Sequence, residues 1–142
     1  MASVIYNNAK KLIGDGTINW TTGTYRIALV GTTYTPDVDA HIYLSSVTNE
    51  ITGTGYLRKD TTNRAIVIDT ANDRADYKAD NITWTAISAG TIGGAVLYKL
   101  GTVDGDSPLL AYIDLTDTVT NGGDFTIKWD GQSSNGRIFS IA

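Results

Sequence analysis

The segment Asp124-Phe-Thr-Ile-Lys-Trp-Asp130 decides the fold class, because its hydrophobic residues fall at every second position. Phe125, Ile127 and Trp129 would point to one face of an extended chain, and the polar residues between them to the other. This two-residue period is typical of a half-buried antiparallel strand. It predicts a sheet with one face against a core.

Two earlier segments are apolar on both faces. Residues 94–100 and 108–115 have this character, so we expect central strands that are covered on each side by the chain or by a partner. The chain is also rich in threonine, with 21 residues, and has 8 tyrosines, and both residue types favour strands. Seven or eight strands about 10 to 15 residues apart predict an antiparallel, jelly-roll-like β-sandwich formed by residues 1–142 as a single domain.

The start of the chain differs from this pattern. Residues 3–13 predict a short helix, with Ser3 as its N-cap and Gly14 as its C-cap. So short a helix is marginal alone in water, so its apolar face has to dock on the sandwich or on a neighbouring subunit. Residues 1–14 therefore form an N-terminal helical segment of the domain.

Local patterns predict the remaining elements. Gly53 and Gly55 interrupt a β-like segment, which indicates a bend, a bulge or close approach by another backbone. The other expectations are a brief strand over 17–20, a helical turn within 40–47, a strong strand over 65–69, a loop or ragged hairpin over 70–80, a strand over 81–87 and a small-residue connector over 88–94.

Composition excludes several classes of function. The net charge of −4 leaves no excess of basic residues for phosphate contacts, so no direct nucleic-acid partner is expected. No segment approaches the roughly 18 apolar residues of a membrane span, and no signal peptide is recognisable. We expect a soluble protein without membrane contact, made in the cytoplasm. The absence of cysteine excludes disulfides and thiolate chemistry.

No catalytic set of residues is recognisable. His41 is the single histidine and Glu50 the single glutamate, so neither a triad nor a glutamate pair is indicated. The acidic groups Asp104–Asp106 and Asp69–Asp73–Asp76 could offer oxygens to calcium, but they lack EF-hand spacing and fit turns better. Gly93-Gly94 and the Gly53 segment likewise indicate tight turns. We predict a non-enzymatic protein without metal or cofactor.

The three tryptophans allow two interpretations. Trp20, Trp84 and Trp129 could form a platform for stacking sugars, or they could fill the core and a subunit interface. Their alternating strand positions favour the core and the interface. A carbohydrate-binding module remains the alternative.

The chain resembles a family of small virion structural proteins of tailed bacteriophages. The matching elements are Tyr34-Thr-Pro-Asp37, Asp39-Ala-His41, Asn49-Glu-Ile-Thr-Gly-Thr-Gly-Tyr56, Ile82-Thr-Trp84, Ala95-Val-Leu-Tyr98, Pro108-Leu-Leu-Ala-Tyr112 and Phe125-Thr-Ile-Lys-Trp129. Residues 57–60 depart from the glycine-rich continuation common in the family.

The resemblance implies a structural component of the particle, similar to the cement or decoration proteins of capsids. Its partner would be the major capsid protein, its location the capsid surface of the virion, and its own state a homo-oligomer, either a dimer or a trimer. A tail or head-fibre component is the alternative within the particle. The residues predicted to contact a partner are Ile5, Leu12, Ile13, Tyr56, Arg58 and Lys59.

Overall fold

The computed structural model describes residues 2–142, which contain ten strands, one α-helix and three short 3-10 turns. The strands are β1 (Val4–Ile5), β2 (Tyr25–Val30), β3 (Lys59–Asp60), β4 (Ala65–Asp69), β5 (Arg74–Ala79), β6 (Ile82–Trp84), β7 (Thr91–Lys99), β8 (Leu109–Val119), β9 (Phe125–Ile127) and β10 (Gly136–Ile141). The helix α1 spans Asn7–Gly14, and the 3-10 turns span Leu44–Ser46, Asp104–Asp106 and Trp129–Gly131. The predicted antiparallel all-β fold with a short N-terminal helix is confirmed, with more strands than expected.

The strands form three antiparallel sheets. The main sheet has the order β1-β8-β7-β2-β3, the small sheet has the order β10-β5-β4, and β6 pairs with β9. Trp20 joins the first two, because its ring lies 5.1 Å from Tyr25 of the main sheet and 6.2 and 5.7 Å from Tyr77 and Phe139 of the small one. The two sheets pack as layers of a sandwich that does not close into a barrel.

The central strands β7 and β8 are buried by the chain itself. Residues 92–98 of β7 are all buried, as are the first four residues of β8. On one face of β8, the ring of Tyr112 lies 5.7 Å from that of Tyr34, which belongs to a loop. The two-sided apolar pattern therefore marks central strands, and their cover comes from the same chain.

Gly93 and Gly94 lie inside β7, so the predicted tight turn at this pair is wrong. The strand begins at Thr91, within the segment expected to be a connector. A Cβ atom on Gly94 would lie 2.4 Å from the ring of Tyr112, and one on Gly93 would lie 2.8 Å from the backbone of Thr32. Close packing, not turn formation, requires both glycines.

The helix begins later than predicted. Val4 and Ile5 pair with Tyr112 and Ala111 as strand β1, and α1 starts only at Asn7. Ser3 is not an N-cap, since its Oγ accepts the backbone N–H of Asp114 (2.9 Å). The β-branched pair gains ladder hydrogen bonds on β8 that a first helical turn would have left unmade.

Two other predicted strand segments are irregular. Residues 17–20 form no strand, although Ile18 and Trp20 are buried from a loop. The segment that defined the fold class ends as a strand at Ile127, and Trp129 lies in a 3-10 turn. The indole N–H of Trp129 donates to the carbonyl of Asp80 (2.9 Å), so a specific bond holds this side chain in the core after the strand has ended.

The segment that follows β4 contains a regular strand. Residues 74–79 form β5, which pairs with β4 as a hairpin, and Asp73 in the connection has a positive φ of 52°. The glycine-broken segment 49–56 makes only isolated bridges, at Glu50 and Thr54. There a Cβ on Gly53 would lie 2.4 Å from the carbonyl oxygen of Ser88, so the expected close approach of another backbone is confirmed.

Candidate functional site

The predicted contact residues of the N-terminal segment dock on their own chain. Ile5, Leu12 and Ile13 are half-buried and pack against the main core. Between β1 and α1, Tyr6 donates its backbone N–H to the carbonyl of Leu110 on β8 (3.0 Å). Of the two docking partners considered from the sequence, the segment uses its own sandwich.

Ile5 also lines a groove of about 500 Å³ between the main and small sheets. Ile113 and Leu115 of β8 form one wall, and Ile138 of β10 belongs to the other. At its mouth, Arg137 binds Asp130 at 3.3 Å. The groove is a cleft between the two layers of the sandwich, and its lining mixes these apolar side chains with charged ones such as Asp114 and Lys128.

Arg58 lies between two carboxylates, in a group of side chains that we call the ion-pair cluster: Glu50, Tyr56, Arg58 and Asp104. Its Nε and Nη2 donate to Glu50 (2.8 and 2.7 Å), and its Nη1 and Nη2 donate to Asp104 (2.8 and 3.1 Å). The Tyr56 hydroxyl donates to Glu50 and accepts the backbone N–H of Leu29 (3.1 Å). Such two-pronged arginine–carboxylate contacts are the strong form of the ion pair.

The ion-pair cluster fixes the protonation states of Asp104 and Tyr56. The hydrogen bonds from Arg58 lower the pKa of Asp104, so that carboxylate is charged at neutral pH. Burial, together with the bond to Glu50, raises the pKa of Tyr56 and keeps its hydroxyl protonated. The cluster thus ties the segment around Glu50 to the turn at Asp104, with one arginine shared between two carboxylates.

Lys59 has a similar structural role. Its Nζ donates to the carbonyl of Thr83 (2.6 Å) and lies 5.9 Å from the ring centre of Trp84. The side chain therefore links β3 to β6. Tyr56, Arg58 and Lys59, predicted as partner contacts, all bind groups of their own chain.

Five large apolar side chains are exposed on segments that meet at the ion-pair cluster or run beside the turn that carries Asp104. We call them the loop surface: Ile42, Tyr43, Leu57, Leu100 and Val103. The Ile42 carbonyl accepts the N–H of Leu109 (2.9 Å), and Tyr43 forms a bridge with Pro108, so both lie beside this turn. Leu57 is 60% exposed and Val103 63% exposed.

The predicted contact residues Tyr56 and Arg58 flank Leu57, but no residue of the loop surface itself was predicted from the sequence. In an extended segment, successive side chains alternate in direction. Tyr56 and Arg58 both reach Glu50, and Leu57 between them is exposed. This alternation indicates from the sequence that Leu57 is exposed. No such signal exists for Val103, because its turn is positioned by the ion pair between Arg58 and Asp104, which are 46 positions apart.

A second apolar surface lies at the far side of the small sheet. We call it the edge surface: Ile66, Val67, Ile68 and Ile141. β4 is the outer strand of that sheet, so it has a hydrogen-bonded neighbour on one side only. Ile68 is 77% exposed, the highest value among the exposed large hydrophobic residues of the described chain. The sequence predicted this strand but not its position at an edge.

The single histidine, His41, lies at the end of a row of tyrosine hydroxyl groups. The Tyr6 and Tyr34 hydroxyls are 2.7 Å apart, and the Tyr34 hydroxyl lies 3.0 Å from Nδ1 of His41. The rings of Tyr34 and His41 are stacked. Burial raises the pKa of Tyr6 and of Tyr34, so both stay protonated. This arrangement fixes the loop that carries His41 against the main sheet.

All three tryptophans are buried, as the preferred interpretation predicted. Each indole N–H donates to a backbone carbonyl: Trp20 to Lys78 (3.1 Å), Trp84 to Leu57 (2.7 Å) and Trp129 to Asp80 (2.9 Å). Buried rings cannot stack on a sugar from solvent, so these residues form no exposed platform.

The acidic groups considered for calcium are bound within the chain. Asp69 and Asp76 flank Arg74 at 3.2 and 2.7 Å, and Asp104 binds Arg58. Within residues 2–142, no group of three or more potential metal-binding side chains comes together. The same part of the chain has no helix long and apolar enough to cross a membrane.

Comparison with protein-family models, curated proteins and solved structures finds no match. The fold defines the class: an antiparallel β-sandwich with a short N-terminal helix and two exposed apolar surfaces.

Proposed function

We propose that the chain is a non-enzymatic structural protein of a tailed-phage particle, a cement or decoration protein that binds the major capsid protein on the outer shell. The sequence resemblance supports this role. The observation that carries it is the loop surface, where five large apolar side chains remain exposed around a turn held by ion pairs. Large apolar side chains that are exposed in one region of the surface are typical of protein-binding sites.

The composition of the loop surface fits a protein interface. Interface centres are enriched in aromatic and aliphatic residues and in arginine. Tyr43 and Leu57 supply the first two, and Arg58 follows Leu57 directly in the chain. Because the contacts of Arg58 already fix the backbone here, binding a rigid partner would cost little further ordering.

The alternatives differ in what they require of the molecule. A tail or head-fibre component could use the same surface, and the position of the chain in a density map of the particle distinguishes it from a capsid protein. A carbohydrate-binding module based on the three tryptophans lacks support, because their rings are buried.

The test uses empty shells assembled from the major capsid protein of the phage that encodes this chain. Purified protein should co-sediment with the shells to saturation and raise their melting temperature, since binding stabilises the assembled state. Leu57→Asp combined with Val103→Asp should weaken binding at least about 30-fold, or about 2 kcal/mol, as expected for central interface residues.

Val119→Asp is the matched control, because Val119 is a 73% exposed valine on β8 outside both surfaces. It should bind like the unmodified protein. Shells that neither bind nor gain stability would overturn the proposal, and loss of binding in the control alone would overturn the assignment to the loop surface.

A further inference from the structure

The outer edge of β4 lacks the features that normally keep edge strands apart. Natural edge strands carry charges, prolines or bulges that block pairing with another chain. Residues 65–68 are alanine, isoleucine, valine and isoleucine, and they pair with β5 in an unbroken register. Over residues 65–68, the free edge of β4 therefore offers main-chain hydrogen-bonding groups without any of these protections.

The side chains on one face of the small sheet form two rows. In the first, Ile66 is aligned with Tyr77 and Phe139, which pack against Trp20 in the core. The second consists of Ile68, Ala75 and Ile141 in the same alignment. Its end residues Ile68 and Ile141 are exposed, so the apolar face continues from the core out to the solvent at the strand edge.

We propose that two copies of the chain pair along β4, antiparallel about a two-fold axis at Val67, to form one six-stranded sheet. Such an axis keeps the same residues on the same face in both copies. Ile68 then lies opposite the partner subunit's Ile66, and Val67 opposite the partner subunit's Val67. Each exposed row thereby continues into the row of the other copy that leads to the buried Tyr77 and Phe139.

Charge complementarity supports this register. Lys78 forms no ion pair within residues 2–142, and it lies beside Ala65 in the β4–β5 hairpin. The pairing places the partner subunit's Asp69 opposite Ala65, two strands or about 10 Å from Lys78. Alanine is too short to block the path, so the lysine side chain can extend across it and add a second cation to a carboxylate that already binds Arg74 of its own chain.

Neighbouring two-fold registers are less favourable. An axis at Ile66 would place the charged Arg64 opposite the partner subunit's Ile68. An axis at Ile68 would place Asp69 opposite the partner subunit's Val67. Only the axis at Val67 keeps both charges away from the large apolar side chains.

This interface does not depend on the proposed function, since it follows from the sheet edge alone. A protein that binds no capsid could still form the dimer, and a monomer could still bind shells. Measurements on the isolated full chain therefore test the two proposals separately.

Crosslinking tests the register. The chain has no cysteine, so Val67→Cys introduces a single thiol. Across the axis its Cα atoms would be about 4.5 to 5.5 Å apart, within the range of a disulfide. Oxidation should give a covalent dimer within minutes, whereas Val119→Cys should stay largely uncrosslinked, although Val119 is the more exposed of the two positions (73% against 46%).

Sedimentation tests the dimer itself. The unmodified protein should have twice its chain mass of 15.2 kDa, and Val67→Lys should reduce it to the monomer by placing two ammonium groups face to face. Val119→Lys should remain dimeric. A monomeric or trimeric unmodified protein, or equal crosslinking of both cysteine variants, would overturn the proposal. If Val67→Lys fails to fold, the cysteine pair still decides between these outcomes.

Discussion

The loop surface and the edge surface are both apolar and exposed, but the chain supports them differently. Around the loop surface, Arg58 binds two carboxylates and joins two segments that are distant in sequence. Most of the edge surface lies on β4, which is hydrogen-bonded to β5 on one side and has no neighbouring strand on the other. The loop surface can offer side chains on a fixed backbone to a partner. The edge surface can offer the main-chain hydrogen-bonding groups themselves.

This difference indicates two modes of recognition within one small domain. Side-chain surfaces select a partner by shape and by a few central residues. Strand edges gain their affinity from main-chain hydrogen bonds, and alternate side chains set the register. The difference can be tested by weakening the support of each surface in turn.

The largest effect is expected at Trp20, which connects the two sheets. Trp20→Ala removes the ring that contacts Tyr25, Tyr77 and Phe139 and should cost about 3–5 kcal/mol of the free energy of unfolding. Hydrogen exchange should then accelerate in the small sheet, which carries the edge surface, more than around the loop surface.

Trp84→Ala serves as the comparison, because Trp84 packs against Phe125 and Lys59 away from the small sheet. It should destabilise the protein by a similar amount without this preference for the small sheet. The same exchange pattern in both variants would show that the two surfaces do not differ in their support.

A smaller effect is expected at Arg58. Arg58→Met keeps an apolar side chain of similar length but leaves Glu50 and Asp104 without their partner. We expect a loss of about 1–2 kcal/mol in urea unfolding, because the charged hydrogen bonds of Arg58 to the half-buried Glu50 and to the more exposed Asp104 are lost. Lys11→Met, which removes an exposed ion pair with Asp15, should change stability by less than about 0.5 kcal/mol. Equal losses would contradict the structural role of the ion-pair cluster.

The smallest expected effect is a dependence of the free energy of unfolding on pH in the acidic range. Because Arg58 lowers the pKa of Asp104 in the folded state below its usual 3.8, this carboxylate stabilises the protein above about pH 4. The contribution should disappear as the pH falls through the lowered pKa. The stability difference between the unmodified protein and Asp104→Asn should therefore shrink from about pH 5 to about pH 2 in urea unfolding. A difference that grows on acidification would show that the ion pair does not stabilise the fold.

The sequence predicted the fold class because strand period and burial are local signals. The alternation around Ile127 and the two-sided apolar segments both mark strands of the structure. The prediction from sequence was wrong where a residue distant in sequence determines the local structure. Val4 and Ile5 fit a helical pattern, but β8 offers them a ladder, and Gly94 has the composition of a turn but packs against Tyr112.

The surfaces were less predictable, because exposure depends on what packs elsewhere. The segment 65–69 has the composition of a buried strand, and no local feature shows that it lies at a sheet edge. Arg58 was recognised as part of a charged segment, but its two carboxylates are 8 and 46 positions away. Their pairing shows that Arg58, a predicted partner contact, also holds two segments of its own chain together.

The place of β5 between β4 and β10 also determines the timing of folding during synthesis. β4 and β5 are adjacent in sequence and can form a hairpin early, whereas β10 leaves the ribosome only with residues 136–141. Until then the hairpin has two open edges, and non-local pairing of this kind is slow. The nascent chain is consequently most prone to aggregation over the interval between these two events. A single charged residue on the solvent face of β4 should reduce that hazard, at the expense of the dimer.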